Sequence, residues 1–359
     1  MLLALYDVMP AQPAASALRA GRDYPPSYAE LRKWFPDDGA CLDYLEWLRW
    51  PSGFECPRCG TRSGWRMGDG RFWCEQCQRR VSVTAGTIFH RTRTPLTIWF
   101  AAAWHATSAK NGVSAKTLQR LLGFGSYQTA WTMLHRFRTA MIRPGRDRLA
   151  GTVEVDETYV GGVEKGVRGR QTETKSIVVI AVELIEPKGF GRVRLRRIPG
   201  VSGDSLVAFV RDAVLPGATV RTDAWKGYDG LPKQGYDRQR INISATGDPA
   251  HVHLPAVHRV ASLLQRRLLG THQGAVERGH LQSYLDEFAF RFNRRSSEFR
   301  GLLFRRLLEQ AVEVGPVTYK SLVVNHVAKK KKPRPPAKRR ARPTSLSIDP
   351  TVGRPWRNP

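Results

Sequence analysis

Acidic residues are scarce in this chain. Asp and Glu together number 31 of 359 residues, against 58 Lys and Arg, for a formal net charge of +27. The scarcity is uneven: from Gln76 to Arg146 there is no Asp or Glu, against eleven Lys and Arg. A solvated surface mixes signs, so such a stretch points toward phosphate. Residues 329–359 hold eleven basic residues and one acid, Asp349, which leaves +17 on the remainder; the basicity is not confined to one end. Long apolar runs are missing as well. With no run of about 18 residues to cross a bilayer, nucleic acid is the expected polyanionic partner rather than a membrane. The start, Met1 to Tyr6, is apolar but too short for a signal peptide and lacks a basic n-region, so a cytoplasmic, nucleoid-associated protein is expected. What remains is an ordinary globular mix, 41% hydrophobic and 25% charged, which excludes wholesale disorder. The length suggests two or three domains.

Cysteine is sparse too, but its placement is informative. Four of the five cysteines form Cys56-Pro57-Arg58-Cys59, fourteen intervening residues, then Cys74-Glu75-Gln76-Cys77. Two such knuckles can set four thiolates around one Zn²⁺. A pair of disulfides is the alternative, and a cytosolic chain disfavours it. Gly60 suits the turn after the first knuckle, and Trp65, Phe72 and Trp73 offer a small ribbon its packing. Cys41 lies in an apolar helical pattern with Leu42, Tyr44, Leu45 and Leu48 and reads as a buried thiol.

Within the acid-free stretch, Pro95 opens a helix through Trp99, Phe100 and Trp104 that ends near Asn111-Gly112. Ser114 then caps a short helix, Ala115 to Leu122, Gly123-Phe124-Gly125 makes a turn, and Ser126 caps a longer helix to about Met141. Trp131, Leu134 and Phe137 form its buried stripe. This is the pattern of a helix-turn-helix, whose second helix enters the major groove of double-stranded DNA; a plain helical hairpin is the bland alternative. The exposed candidates for DNA contact are Ser126, Tyr127, Gln128, Thr129, Arg136 and Arg138.

The texture changes after Arg143-Pro144-Gly145. Strands are expected at Thr152 to Val160, Ser176 to Ile185, Gly191 to Ile198, Ala218 to Thr222 and near Ile241. Helices are expected at Ser202 to Val214 and from about Ala256 to Leu269. Three strands, a helix, two strands and a helix is the order of the ribonuclease H-like α/β fold, in which the first and fourth strands are neighbours. Asp156 and Asp223 would then converge although they are 67 positions apart. Two carboxylates suit Mg²⁺ (or Mn²⁺), and two such ions about 3.5–4 Å apart can activate a nucleophile and steady a leaving oxygen. The bland alternative makes Asp223 a cap for Ala224-Trp225-Lys226-Gly227-Tyr228.

In Arg49-Trp50-Pro51, GTVEVDETYVGG (151–162), RTDAWKGY (221–228), HVHLPAVHRVASLLQRRLLGTHQG (251–274) and YLDEFAFRFNRR (284–295), the chain resembles bacterial insertion-sequence transposases of the DDE superfamily. The resemblance is to their zinc-ribbon group, insertion sequence fifteen-ninety-five, and covers roughly residues 27–310. It implies that Asp156 and Asp223 are the first two catalytic acids and metal ligands. The third is often a Glu in a motif like HVNGIESFWS; laid over this chain, that Glu falls on His258, a departure toward the DDH subset. On its helix Val257, Val260, Ala261, Leu264 and Leu268 would face the core, leaving His258 with Ser262 and Gln265. Glu287 is the rival third residue, and Arg291 at i+4 can neutralise it as a simple exposed ion pair. His251 and His253 are expected to lie near DNA or to support the site.

The expected organisation is a leader at 1–26, a helix plus zinc ribbon at 27–92, the helix-turn-helix region at 93–146, the catalytic domain at 147–310, and an extension with a basic DNA-clamping tail at 311–359. The expected activity is binding of terminal inverted repeats, metal-dependent strand cleavage and strand transfer by a homodimer or larger synaptic complex. Lys226, Arg259, Arg266 and Arg267 are the expected phosphate contacts. The alternatives are a non-catalytic DNA-binding regulator and a nuclease without strand transfer.

Overall fold

The computed structural model describes residues 18–143, 145–162, 174–187, 189–242, 249–274 and 276–324. Most of the expected leader and all of the basic tail lie outside the described residues.

Two short helices open the fold, α1 (Tyr28–Trp34) and α2 (Asp38–Arg49). Each begins at a capping side chain: Ser27 accepts from the Glu30 amide and Asp37 from the Ala40 amide. A three-stranded antiparallel ribbon follows, β1 (Gly64–Arg66), β2 (Phe72–Cys74) and β3 (Arg79–Val81). Phe54 stacks on Phe72 at 4.8 Å, and Trp50 meets both edge-on at 5.1 Å, which fastens the ribbon to the end of α2. Trp65, expected to pack the ribbon, stays 53% exposed. Cys41 is fully buried, and burial pushes its thiol pKa up.

Three helices form the next unit: α3 (Leu96–Ser108), α4 (Ala115–Leu122) and α5 (Tyr127–Ala140). Ser114 and Ser126 cap α4 and α5 as their sequence suggests. Gly123 ends α4 at φ 65°, a left-handed conformation that favours glycine and turns the chain into α5. Leu134 and Phe137 are buried, whereas Trp131 is only half-buried, beside His135 and His280.

A five-stranded sheet follows, built of β4 (Thr152–Val160), β5 (Ser176–Leu184), β6 (Phe190–Ile198), β7 (Thr219–Asp223) and β8 (Asp237–Ile241). The order is β6-β5-β4-β7-β8; β5 is antiparallel to β4 and β6, while β7 is parallel to β4 and β8. Alternation along the strands assigns the two faces. Val153, Val155, Val179, Ala181 and Val220 pack on α6 (Gly203–Ala213). Val178, Ile180, Val182, Val193 and Leu195 pack on two other helices, α8 (Pro255–His272), which follows the short α7 (Ala250–His253), and α9 (Leu281–Phe292).

With both sheet faces covered, the next helix goes elsewhere. α10 (Arg300–Glu313) belongs to the expected catalytic stretch 147–310, yet Phe304, Leu307, Leu308 and Ala311 join the core of α2, α3 and α5. The chain thus folds back and ties its two halves together before α11 (Tyr319–Val324). No helix among the described residues is long and apolar enough to cross a membrane.

Candidate active site

Asp156 lies on the central strand β4, opposite Ile180 of β5, so its side chain shares the face covered by α8 and α9. Glu154 pairs in register with Arg221 across β4 and β7. Two residues further on, Asp156 and Asp223 therefore stand level on neighbouring parallel strands, on the same face. α8 brings the third expected residue: His258 Nε2 lies 3.6 Å from Asp156 Oδ2. Val257, Val260, Leu264 and Leu268 of α8 are buried, while Ser262 and Gln265 are exposed. His258 is thereby left at the edge of the core with its side chain 35% exposed.

The electrostatics of this corner are set by carboxylates that lie close to one another. Burial, then the charges of Glu157 and Asp223, push the Asp156 carboxyl up to about 8, although one of its oxygens accepts from the Glu157 amide at 2.8 Å. Burial, with His251 nearby, pushes His258 down. Tyr228 is fully buried and donates to Glu157 at 3.1 Å. Asp223 does cap the following turn, accepting from the Trp225 amide at 3.0 Å. Its backbone is held from the side by Arg238 of β8, which donates to the carbonyls of Asp223 and Trp225 and to the Thr222 hydroxyl. Two carboxylates and an imidazole are donor types that a divalent cation takes, though their ligand atoms are not gathered as closely as the cysteine sulfurs of the ribbon.

Glu287 has the opposite surroundings. It is 3% exposed, and Arg138 Nε donates to it at 2.8 Å, Arg291 Nε at 3.2 Å. Arg267 Nη2 stands 2.5 Å away as an ion pair. Burial alone would raise this carboxyl, but Arg267, Arg138 and Arg291 outweigh it and hold it well below the usual carboxylate range. Arg291 also donates to the carbonyls of Ala106 and Ala109 at the end of α3. Gly112 closes over the cluster: a Cβ there would stand 3.0 Å from both Arg267 and Glu287. The expected exposed pair Glu287–Arg291 is therefore corrected to a buried hub joining α3, α5, α8 and α9. The same hub corrects two expected DNA contacts, because Arg138 (3% exposed) and Arg267 (9%) are buried against Glu287.

The other expected DNA residues sit at the surface. Ser126, Tyr127, Gln128 and Thr129 are exposed at the start of α5, and Lys226, just after Asp223, and Arg259 and Arg266, on α8, are exposed as well. Arg136 is half-buried and tied to backbone, donating to Val317 O at 2.7 Å. It still lines a groove of about 270 Å³ with Gln128, Thr129, Arg91 and Arg93. Arg91 and Arg93 are exposed there and were not singled out by sequence, though both belong to the acid-free stretch. Arg238 and Glu154 were also missed, because a strand residue's partners depend on register.

In the ribbon, Cys56 and Cys77 sulfurs lie 3.8 Å apart and those of Cys59 and Cys74 3.6 Å, with all four ligand atoms within 4.8 Å of one another. Sulfurs about 2.3 Å from a central zinc are about 3.8 Å apart in a tetrahedron, whereas a disulfide needs about 2.05 Å. The spacing supports a structural zinc. Among the described residues this is the one such cluster of metal-ligating side chains.

Two family models match separate parts of the chain. A transposase zinc-ribbon domain matches residues 36–80, and an ISXO2-like transposase domain matches residues 148–293, from β4 through α9. An uncharacterized protein in transposable element ISH50 of Halobacterium salinarum is 27% identical over 278 residues, 72% of this chain and 92% of that protein. An uncharacterized transposase-like protein of Haemophilus influenzae is 27% identical over 116 residues, 32% of this chain and 89% of that one. Both family models are those of insertion sequence fifteen-ninety-five, and with the sheet topology and the cysteine cluster they identify the chain as a member of the IS1595 family of insertion-sequence transposases.

Proposed function

We propose that the chain binds the terminal inverted repeats of an insertion sequence, cuts a strand at each end and joins the released end to target DNA. The sheet order, with its first and fourth strands adjacent, supports a ribonuclease H-like catalytic fold. The observation that carries the reading is the convergence of Asp156 and Asp223 on one face with His258 3.6 Å from Asp156. Asp156 and Asp223 would hold Mg²⁺ or Mn²⁺, with His258 as third ligand or proton carrier. When bound, the ions would supply Lewis acidity at the attacking and leaving oxygens. Water first attacks the phosphorus at each end and displaces the 3′-oxygen, leaving a 5′-phosphate and a free 3′-hydroxyl. That hydroxyl then attacks a target phosphorus and displaces the target strand's own 3′-oxygen, so the number of phosphodiester bonds is conserved in joining and no covalent bond to the protein is required. Lys226, Arg259 and Arg266 hold phosphates around this corner. The zinc ribbon and α4–α5 hold the ends, with Ser126, Tyr127, Gln128 and Thr129 toward the bases and Arg136 bordering their groove. Joining two ends calls for at least a dimer on DNA.

The test is incubation of the zinc-loaded full chain with a DNA carrying its flanking repeats, with and without Mg²⁺ or Mn²⁺, scoring both nicks and joined products. Metal-dependent cutting and joining are expected. Binding without cutting would favour a DNA-binding regulator, and cutting without joining a nuclease.

A further inference from the structure

The start of α8 is held by two side chains from the sheet, and both sit two residues before a proposed catalytic aspartate. Glu154 is fully buried, and its Oε2 accepts from the Ala256 amide at 2.8 Å and the Val257 amide at 3.2 Å. Leu254, the residue at the N-cap of α8, makes no side-chain cap bond. Pro255 has no amide hydrogen, and the His258 amide donates to Leu254 O. All donors of the first turn are thus accounted for, and Glu154 supplies the cap from a strand 102 residues away. The other oxygen of Glu154 lies 3.5 Å from Arg221 Nη1, and Arg221 Nη2 donates to the His253 carbonyl at 3.3 Å. One residue grips the amides after the α7–α8 junction and its partner grips the carbonyl before it.

We infer that Glu154 and Arg221 are positioning residues: paired in register across β4 and β7, they fix where α8 starts and so set the reach of His258 to the two aspartates. This rests on the proposed site of Asp156, Asp223 and His258. A hydrophobic contact would have sufficed to hold α8 on the sheet, and Val257, Val260, Leu264 and Leu268 already do so. What the pair adds is register along the helix axis, which apolar packing specifies poorly. A shift of about 1 Å in a reacting group can cost on the order of 10²-fold in rate.

The experiment uses the zinc-loaded full chain and reads three quantities: Mn²⁺ binding by the loss of free-ion paramagnetic resonance signal, repeat-DNA affinity, and metal-dependent strand cutting. Glu154→Asp keeps the charge but is one methylene too short to reach the amides. It should weaken Mn²⁺ binding about 10-fold or more, within the 10–100-fold carried by residues that orient ligands, and leave DNA affinity unchanged. Glu154→Gln keeps the length and one acceptor oxygen and should recover part of the loss. Arg221→Gln, at a side chain 30% exposed and therefore tolerant, should weaken Mn²⁺ binding by a smaller factor of the same sign. Parent-like Mn²⁺ binding and strand cutting in Glu154→Asp and Arg221→Gln, with both lost in His258→Ala, would overturn the inference and leave the site intact. Parent-like behaviour of His258→Ala would instead remove the site itself, and the clamp with it. Should Glu154→Asp not fold, parent-like Mn²⁺ affinity in Arg221→Gln alone overturns it.

Discussion

Glu287 is a buried carboxylate and Asp156 a half-buried one, and their surroundings differ in sign. Glu287 faces three guanidinium groups, those of Arg138, Arg267 and Arg291, and is held well below the usual carboxylate range despite its burial. Asp156 faces Glu157 and Asp223 and is pushed up to about 8. A buried carboxylate with surplus cations is complete within the protein, and it ties elements together. One that faces other carboxylates is raised instead, and a bound cation would relieve that repulsion. Between two candidate third residues, this comparison favours His258 over Glu287 on physical grounds: Glu287 has no charge left to offer a metal ion.

The sharpest way to break the comparison is to truncate Glu287. Glu287→Ala leaves three arginines buried without a carboxylate and should cost about 3–5 kcal/mol of stability, as is usual when one member of a buried ion cluster is removed; urea unfolding measures it. The pH dependence has a definite sign. Because the folded-state pKa of Glu287 is depressed, its contribution is fully present above the ordinary carboxylate range and is lost as pH falls through that range toward the folded value. Glu287→Gln should flatten that acid limb.

A similar removal of charge at Asp156 should act in the opposite direction. Its raised folded-state pKa means that the metal-free fold loses stability as pH climbs from the ordinary carboxylate range toward about 8. Asp156→Asn should therefore stabilise the metal-free protein at neutral pH, by about 0.5–2 kcal/mol, the usual gain when a functional strain is removed. Equal destabilisation by Glu287→Ala and Asp156→Asn in the same unfolding experiment would contradict the contrast.

Much of this was legible in the sequence. The strand set and its order follow from period and punctuation, and all five strands of the sheet lie within a few residues of where alternation puts them. The four cysteines declare their cluster by spacing alone. What the sequence hides is burial set by distant partners. Arg138, Arg267 and Glu287 are spread over 149 positions, and nothing local distinguishes their charges from those of Arg259 or Arg266. The return of α10 to the first core is hidden for the same reason, since an amphipathic stripe does not name its partner. Glu154, two residues before Asp156, looks like one acid of three in Glu154, Asp156 and Glu157. Only the β4–β7 register and the arrival of α8 separate the roles.

The smallest expected change in stability sharpens the comparison at the surface. Gln128 is exposed on the first turn of α5, whereas Arg138 is buried one face away. Gln128→Ala should leave stability unchanged within about 0.5 kcal/mol. It should reduce discrimination between repeat and unrelated DNA by about 1–3 kcal/mol, the value of one good base contact. Competition binding at fixed salt reads the difference.

The most direct test of the account is strand cleavage by Asp156→Asn, Asp223→Asn, His258→Ala and Glu287→Gln, compared at equal zinc content and equal occupancy of repeat DNA. The first three should lose on the order of 10³-fold or more in cutting, the several kcal/mol that metal-held charge contributes. Glu287→Gln, once folded, should cut close to the parent rate. Normal cutting by either aspartate variant, or normal cutting by His258→Ala with a dead Glu287→Gln, would contradict it.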